Sequence, residues 1–264
     1  MTSESKHIVL AAKKLTVGYF RKKKADIISS NINFQLAEGE LIALVGTNGI
    51  GKSTLLRTLS GMQPLINGAI QLNDKNLNSY TSLQRANYVS VVLTETPASK
   101  NLTVLELVSL GRQPYTNWMG SLSAADKKIV TCALEATNTM DLSDTKCFEL
   151  SDGQLQRVYI ARALAQDTPV IILDEPTTHL DLFHRASILK LLKNLAAKNN
   201  KTILFSTHEI DLAIQLSDKM IVMTPKATYF ETPKDLIKAG RFDTLFPEEM
   251  IHFDSETGRF IIKD

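Results

Sequence analysis

The stretch ELIALVGTNGIGKSTLLRTLSG, Glu40 to Gly61, reads as an apolar strand, a glycine-rich turn and a helix. The run before Gly46 is short and apolar, which suits a strand buried on both faces. STLLRTLSG is helical and closes on Gly61 as a C-cap. Between them GTNGIGKST, Gly46 to Thr54, matches the pattern G-x-x-x-x-G-K-[ST] in the strand-to-helix setting that gives the pattern its meaning. Glycines let such a loop curl so that backbone N–H groups face a phosphate chain, and the helix N-terminus adds its partial positive charge. Lys52 is placed to reach β- and γ-phosphates, and the Ser53 hydroxyl to bind Mg²⁺.

Outward from this unit the same form recurs. VIILDEP (Val170 to Pro176), KTILFSTH (Lys201 to His208) and KMIVM (Lys219 to Met223) are short apolar runs, the first two with polar residues at their carboxyl ends. In ASILKLLKNLAAK, Ile188, Leu191, Leu192 and Leu195 share one helical face. Strands alternating with helices predict an α/β fold with a mainly parallel sheet. The earlier segments KKLTVGYF and ISSNINFQLAEGE read as antiparallel strands joined by the basic stretch Arg21 to Lys24. That stretch has no interleaved aromatics, so it is read as a solvated hairpin tip and no nucleic-acid partner is expected. From Thr94 to about Glu149 helical patterns follow one another without strands, which predicts an inserted helical subdomain at about 95–150. The tail from about 232 to 264 is mixed, and the whole chain reads as a single domain.

Composition narrows the class. A chain of 264 residues buries a substantial core, and 44% hydrophobic content argues against disorder. A net charge of +2 creates no strong field for polyanions. Cys132 and Cys147 lack metal-type spacing and fit an unbridged intracellular protein. The N-terminal apolar stretch is too short for a secretion signal, and no run approaches the roughly 20 residues that cross a bilayer. The protein itself is expected to be soluble, with no transmembrane segment of its own, which leaves docking on a membrane protein open.

Two further stretches carry chemistry. Asp174 follows the strand Val170 to Leu173, where a carboxylate can anchor Mg²⁺. In an extended chain Glu175 would point the opposite way, toward a water in line with a γ-phosphate; the bland alternative for the pair is helix capping. LSDGQLQR, Leu150 to Arg157, has the helix-start pattern: Ser151 as N-cap, Gln154 closing a capping box, Leu150 and Leu155 as a hydrophobic staple. Gly153 is costly in such a helix unless something must approach the backbone.

Together these stretches resemble the ATPase subunit of ABC transporters over nearly the whole chain. GTNGIGKST resembles the Walker A motif, LSDGQ the family signature, VIILDEP the Walker B strand with its catalytic glutamate, and THLD, Thr178 to Asp181, the D-loop. His208 matches the switch histidine and Tyr19 the aromatic that stacks on adenine. The resemblance implies a RecA-like mainly parallel core with an N-terminal antiparallel β subdomain and an inserted helical subdomain. It further implies ATP and Mg²⁺ as cofactors, and a head-to-tail dimer with a second copy of the chain. ATP would be held by Tyr19, by Gly46, Thr47, Asn48, Gly49, Ile50, Gly51, Lys52, Ser53 and Thr54 of one copy, and by Ser151, Gly153 and Gln154 of the other. Asp181 would communicate across the interface. Mg²⁺ would fall to Ser53, Asp174 and Thr94, catalysis to Glu175 and His208.

Three departures from the family pattern stand out. Asp152 replaces the usual signature glycine and is expected to point away from nucleotide. Thr94, followed by Glu95, replaces the usual Q-loop glutamine, and either could serve the metal. Thr47 and Ile50 replace the common loop proline and alanine, where backbone does the binding. LVSLGRQPYTNWMGSLSAADKKIV resembles importers of iron–siderophore, haem or vitamin B12. This branch implies a site on the cytoplasmic face of the inner membrane, an integral permease, and, through it, a substrate-binding protein. The rivals are a cytosolic non-transport ABC ATPase, such as an iron–sulfur assembly component, and a nucleotide-binding regulator. Within the first class, the lack of a sustained heptad run opposes a DNA-repair member and the single cassette opposes a translation member, while length alone leaves the iron–sulfur assembly component standing. The regulator is opposed by the presence of Lys52, Asp174, Glu175 and His208.

Overall fold

The computed structural model describes residues 6–22, 24–93, 101–118, 120–246 and 251–262. The chain opens with two long strands, β1 (Ile8–Arg21) and β2 (Lys24–Ala37), paired antiparallel with Arg21 opposite Lys24 at the basic tip. Next come β3 (Leu41–Gly46), α1 (Lys52–Leu59), β4 (Asn67–Leu72), the two-residue β5 (Lys75–Asn76), α2 (Ser82–Ala86) and β6 (Val89–Val92). Two helices, α3 (Val104–Ser109) and α4 (Ala124–Ala136), then precede α5 (Asp152–Ala165). The second half alternates: β7 (Val170–Leu173), α6 (Leu182–Asn199), β8 (Thr202–Ser206), α7 (Ile210–Leu216) and β9 (Lys219–Met223). It closes with β10 (Thr228–Glu231), α8 (Pro233–Lys238), β11 (Ile251–Asp254) and β12 (Arg259–Ile262).

These elements form an α/β architecture. The central sheet has the order β10-β9-β3-β8-β7-β6, parallel throughout except for the antiparallel edge strand β10. An antiparallel sheet of order β2-β1-β4-β5 covers one face. Alternation along the central strands explains why their sequences are apolar throughout. Leu41, Ala43 and Val45 face a core shared with α3 to α7, while Ile42 and Leu44 face a second core built from α1 and the antiparallel sheet. Ile171 and Leu173 against Val170 and Ile172 divide in the same way. Each such buried Val, Leu or Ile side chain contributes about 1.5–3 kcal/mol of burial free energy.

Helices α3 and α4 pack on α5, so the helical layer extends past the expected limit near residue 150 as far as Ala165. In the tail, Phe242 and Phe253 lie 4.9 Å apart, and Phe260 sits 5.0 Å from both Phe246 and Phe253, fastening the β11–β12 hairpin to the main core. Ser60, not Gly61, is the C-cap of α1; Gly61 follows at φ +73°. Among the described residues no helix is long and apolar enough to cross a membrane.

Candidate nucleotide-binding site

The candidate residues gather beyond the carboxyl ends of β3, β7 and β8, which are neighbours in the sheet, the place where open α/β sheets bind ligands. Six of the eight helices have a side-chain N-cap; α1 starts instead at Gly51, uncapped and with no acidic residue in its first turn. An N-terminus left in that state is suited to an anion. Gly51 sits at φ +108°, and a Cβ there would fall 2.4 Å from Ile28 Cγ2, so both backbone angle and space demand glycine. Lys52 is buried; its Nζ donates to Gly46 O (3.0 Å) and Thr47 O (3.3 Å), curling the loop around its own side chain. Burial lowers the Lys52 pKa, and the nearby Glu175 and Asp174 carboxylates offset part of that fall.

Tyr19, Ile28, Asn48, Gly49, Gly51, Lys52, Ser53, Thr54 and Glu175 line one cavity of about 290 Å³. The Tyr19 hydroxyl lies 2.9 Å from Thr54 Oγ1, and 41% of the residue is exposed, so its ring is available at the cavity wall. β1 therefore brings Tyr19 to the loop although 27 or more residues separate them in sequence.

Asp174 is buried and accepts a hydrogen bond from Ser206 Oγ at 2.7 Å. The same hydroxyl accepts the Glu175 N–H at 2.8 Å, tying the end of β7 to β8. Ser206 is a site residue that the apolar-run reading of KTILFSTH passed over. The expectation that Glu175 continues an extended strand fails: β7 ends at Leu173, and Glu175 takes φ +50°. That left-handed turn aims its carboxylate at His208, with Oε1 2.6 Å from Nε2, while Thr178 Oγ1 donates to Oε2 at 3.2 Å. Nor do Asp174 and Glu175 cap a helix. The following helix, α6, is capped by Asp181.

Asp181 accepts the His184 N–H (2.9 Å) and lies 2.8 Å from the His184 ring, contacts that hold its carboxyl below the usual carboxylate range, the amide contributing most. Ser151 caps α5 in the expected capping box with Gln154, both exposed. Gly153 has a reason within its own chain: a Cβ would come 2.8 Å from His184 Cδ2. A close approach does occur at that glycine, but the approaching group is the half-exposed His184 ring of the D-loop helix, which the sequence alone does not reveal and which a Cβ would displace. Asp152 lines a different cavity of about 250 Å³ together with Gln156, Asp174 and Glu175. Neither Ser151 nor Gln154 lines the Tyr19 cavity of the same chain. Thr94 and Glu95 lie outside the described residues.

The family model for ABC transporters matches residues 29–178. The achromobactin transport ATP-binding protein of Dickeya dadantii is 36% identical over 238 residues, 90% of this chain and 87% of that protein. The iron(3+)-hydroxamate import ATP-binding protein of Bacillus subtilis is 37% identical over 214 residues, covering 81% and 78%. Among solved structures, the dimeric post-hydrolysis ATP-binding cassette MJ0796 bound to ADP and Pi superposes with a TM-score of 0.72 at 27% identity, covering 85% of this chain and 98% of that one.

Proposed function

The chain belongs to the ABC transporter family, and from that premise we propose that it is the ATP-hydrolysing subunit of an importer of chelated cargo: iron–siderophore, haem or cobalamin-type. Relatives named for achromobactin and iron(3+)-hydroxamate transport, matched over four-fifths or more of this chain, favour the iron–siderophore member of that set. The subunit works as a head-to-tail dimer on the cytoplasmic face of the inner membrane. It drives a permease that receives cargo from a substrate-binding protein. The part of the helical subdomain from around Thr94 to Gly120 receives the permease.

One observation carries the catalytic reading: Glu175 lines the cavity that Lys52 and Tyr19 share, and its carboxylate is in contact with His208 at 2.6 Å. The α1 N-terminus and Lys52 hold the phosphates, Tyr19 stacks on the base, Glu175 accepts a proton from the attacking water, and His208 keeps Glu175 oriented. The donor set fits magnesium: Ser53 and the buried Asp174 offer hard oxygens, and an ion that shares phosphate ligands needs few from protein. When bound, the ion neutralises charge on the β- and γ-phosphate oxygens.

Replacing Glu175 with Gln removes the proton acceptor but keeps size and hydrogen bonding. General-base catalysis contributes about 10²–10⁴ in rate, so phosphate release should fall by at least about a hundredfold. Equilibrium binding of ATP should be retained. Hydrolysis near the wild-type rate would overturn the assignment.

A further inference from the structure

Arg185, in the first turn of α6, takes no part in the chemistry described so far. Its guanidinium spans two loops. Nε donates to Leu180 O at 2.6 Å, on the residue before Asp181, and Nη1 pairs with Glu209 Oε1 at 2.5 Å. Glu209 follows His208 directly, and its own N–H donates to Thr207 Oγ1 at 3.0 Å, so its backbone is held in the switch segment. His208 returns to Glu175 at 2.6 Å, and the chain from Glu175 runs back to Leu180. A closed ring results: Glu175, the backbone to Leu180, Arg185, Glu209, His208, Glu175. Within it, Arg185 is the side chain that sets the spacing between the D-loop and the switch segment.

We propose that Arg185, acting through Glu209, is a positioning residue that holds His208 at Glu175. The inference rests on the catalytic roles proposed above for that pair. Physical chemistry favours position over stability as the purpose of the contact. Both side chains are about one-third exposed (32% each), and ion pairs so exposed add little to stability. Geometry, by contrast, exploits what arginine alone supplies: a rigid planar fork whose donors reach a carbonyl and a carboxylate at once. Lysine carries the charge, but its donors radiate from one rotatable nitrogen and supply no fixed planar fork.

The test uses the full chain with Arg185→Gln, Arg185→Lys, Glu209→Gln and the Arg185→Gln/Glu209→Gln double variant, each assayed for ATP hydrolysis and thermal stability. A misplaced catalytic group costs about ten- to a hundredfold, so kcat should fall by that factor in both Gln variants. KM for ATP and Tm should stay near wild type. Arg185→Lys should fall in kcat while keeping Tm, because it preserves charge and bulk but not the fork. The double variant should be no slower than the worse single, since both remove one linkage. The proposal is overturned if kcat survives in the single variants, if it falls only with Tm, or if the double variant multiplies the two losses. Failure of the underlying reading looks different: wild-type chain without ATPase activity, or Glu175→Gln with full activity.

Discussion

At the scale of single residues, Asp152 is the departure with most bearing on rate. It occupies the first turn of α5, where a carboxylate gains about 0.3–1 kcal/mol from the helix dipole. It lines a cavity with Asp174 and Glu175, whereas the cavity formed by Tyr19 and the loop, which Glu175 also lines, does not include it. We predict that Asp152→Gly keeps kcat within about threefold, under 1 kcal/mol of barrier. Stability should drop by about 0.5–1.5 kcal/mol, since the dipole partner is lost and glycine is a poor helix former. Phosphate release and urea unfolding measure the two effects separately. A tenfold gain in kcat would show instead that the carboxylate restrains hydrolysis. Residues this local were legible in the sequence: Ser151 and Gln154 form their capping box from a four-residue pattern, and Lys52 sits where its motif requires. Gly153 was legible as a constraint but not as to its cause, because His184 lies 31 positions away and no periodicity links the two.

Among the elements, α4 is fastened by Asp126. Ser123 caps the helix, and its hydroxyl donates to Asp126 at 2.6 Å; Arg112 Nε donates to the other oxygen at 2.9 Å and reaches Ala165 O at the end of α5 through Nη1. The Ser123 hydroxyl first, then Arg112 and the Ser123 amide, lower the Asp126 carboxyl from about 3.8 to about 2. A carboxyl depressed in the folded state stabilises it fully above its unfolded pKa and loses that effect as the folded pKa is approached from above. The packing of α4 on α5 should therefore weaken as pH falls from about 3.8 toward 2. We predict that Asp126→Asn is less stable at neutral pH and shows a flatter acid limb, measured as urea midpoint against pH. Parallel curves for variant and wild type would exclude the linkage. This fastening was not legible beforehand: SAADKKIV announces a helix start, but the reach of Arg112 across 14 residues depends on tertiary packing. Short apolar strands such as Val170–Leu173 were legible because both faces are buried, which removes alternation and leaves an unbroken run. The β11–β12 hairpin was not, since its stability comes from Phe242 and Phe246, which stand before it in the chain.

For the molecule as a whole, the cavity over the loop is one-sided. Tyr19, Lys52 and Glu175 build it, while the exposed Ser151-capped end of α5 lines no part of it within one chain. In the head-to-tail dimer proposed above, the Ser151 end of one copy would lie over the loop of the other and close the gap, which mixing two defective chains can test. Lys52→Ala disables the loop and leaves the signature intact; Ser151→Arg blocks the signature and leaves the loop intact. Each homodimer then has no working site. In the heterodimer, one site combines both defects and the other combines both intact halves. Random pairing makes half the dimers mixed with one good site of two, so activity should recover to about a quarter of wild type on mixing. If each signature served its own loop, every site in every combination would carry a defect, and mixing would recover nothing. Recovery should also grow with total protein concentration, because it requires association, whereas a monomeric enzyme has a specific activity independent of concentration. A mixture that stays inactive at every concentration would rule out the two-copy site.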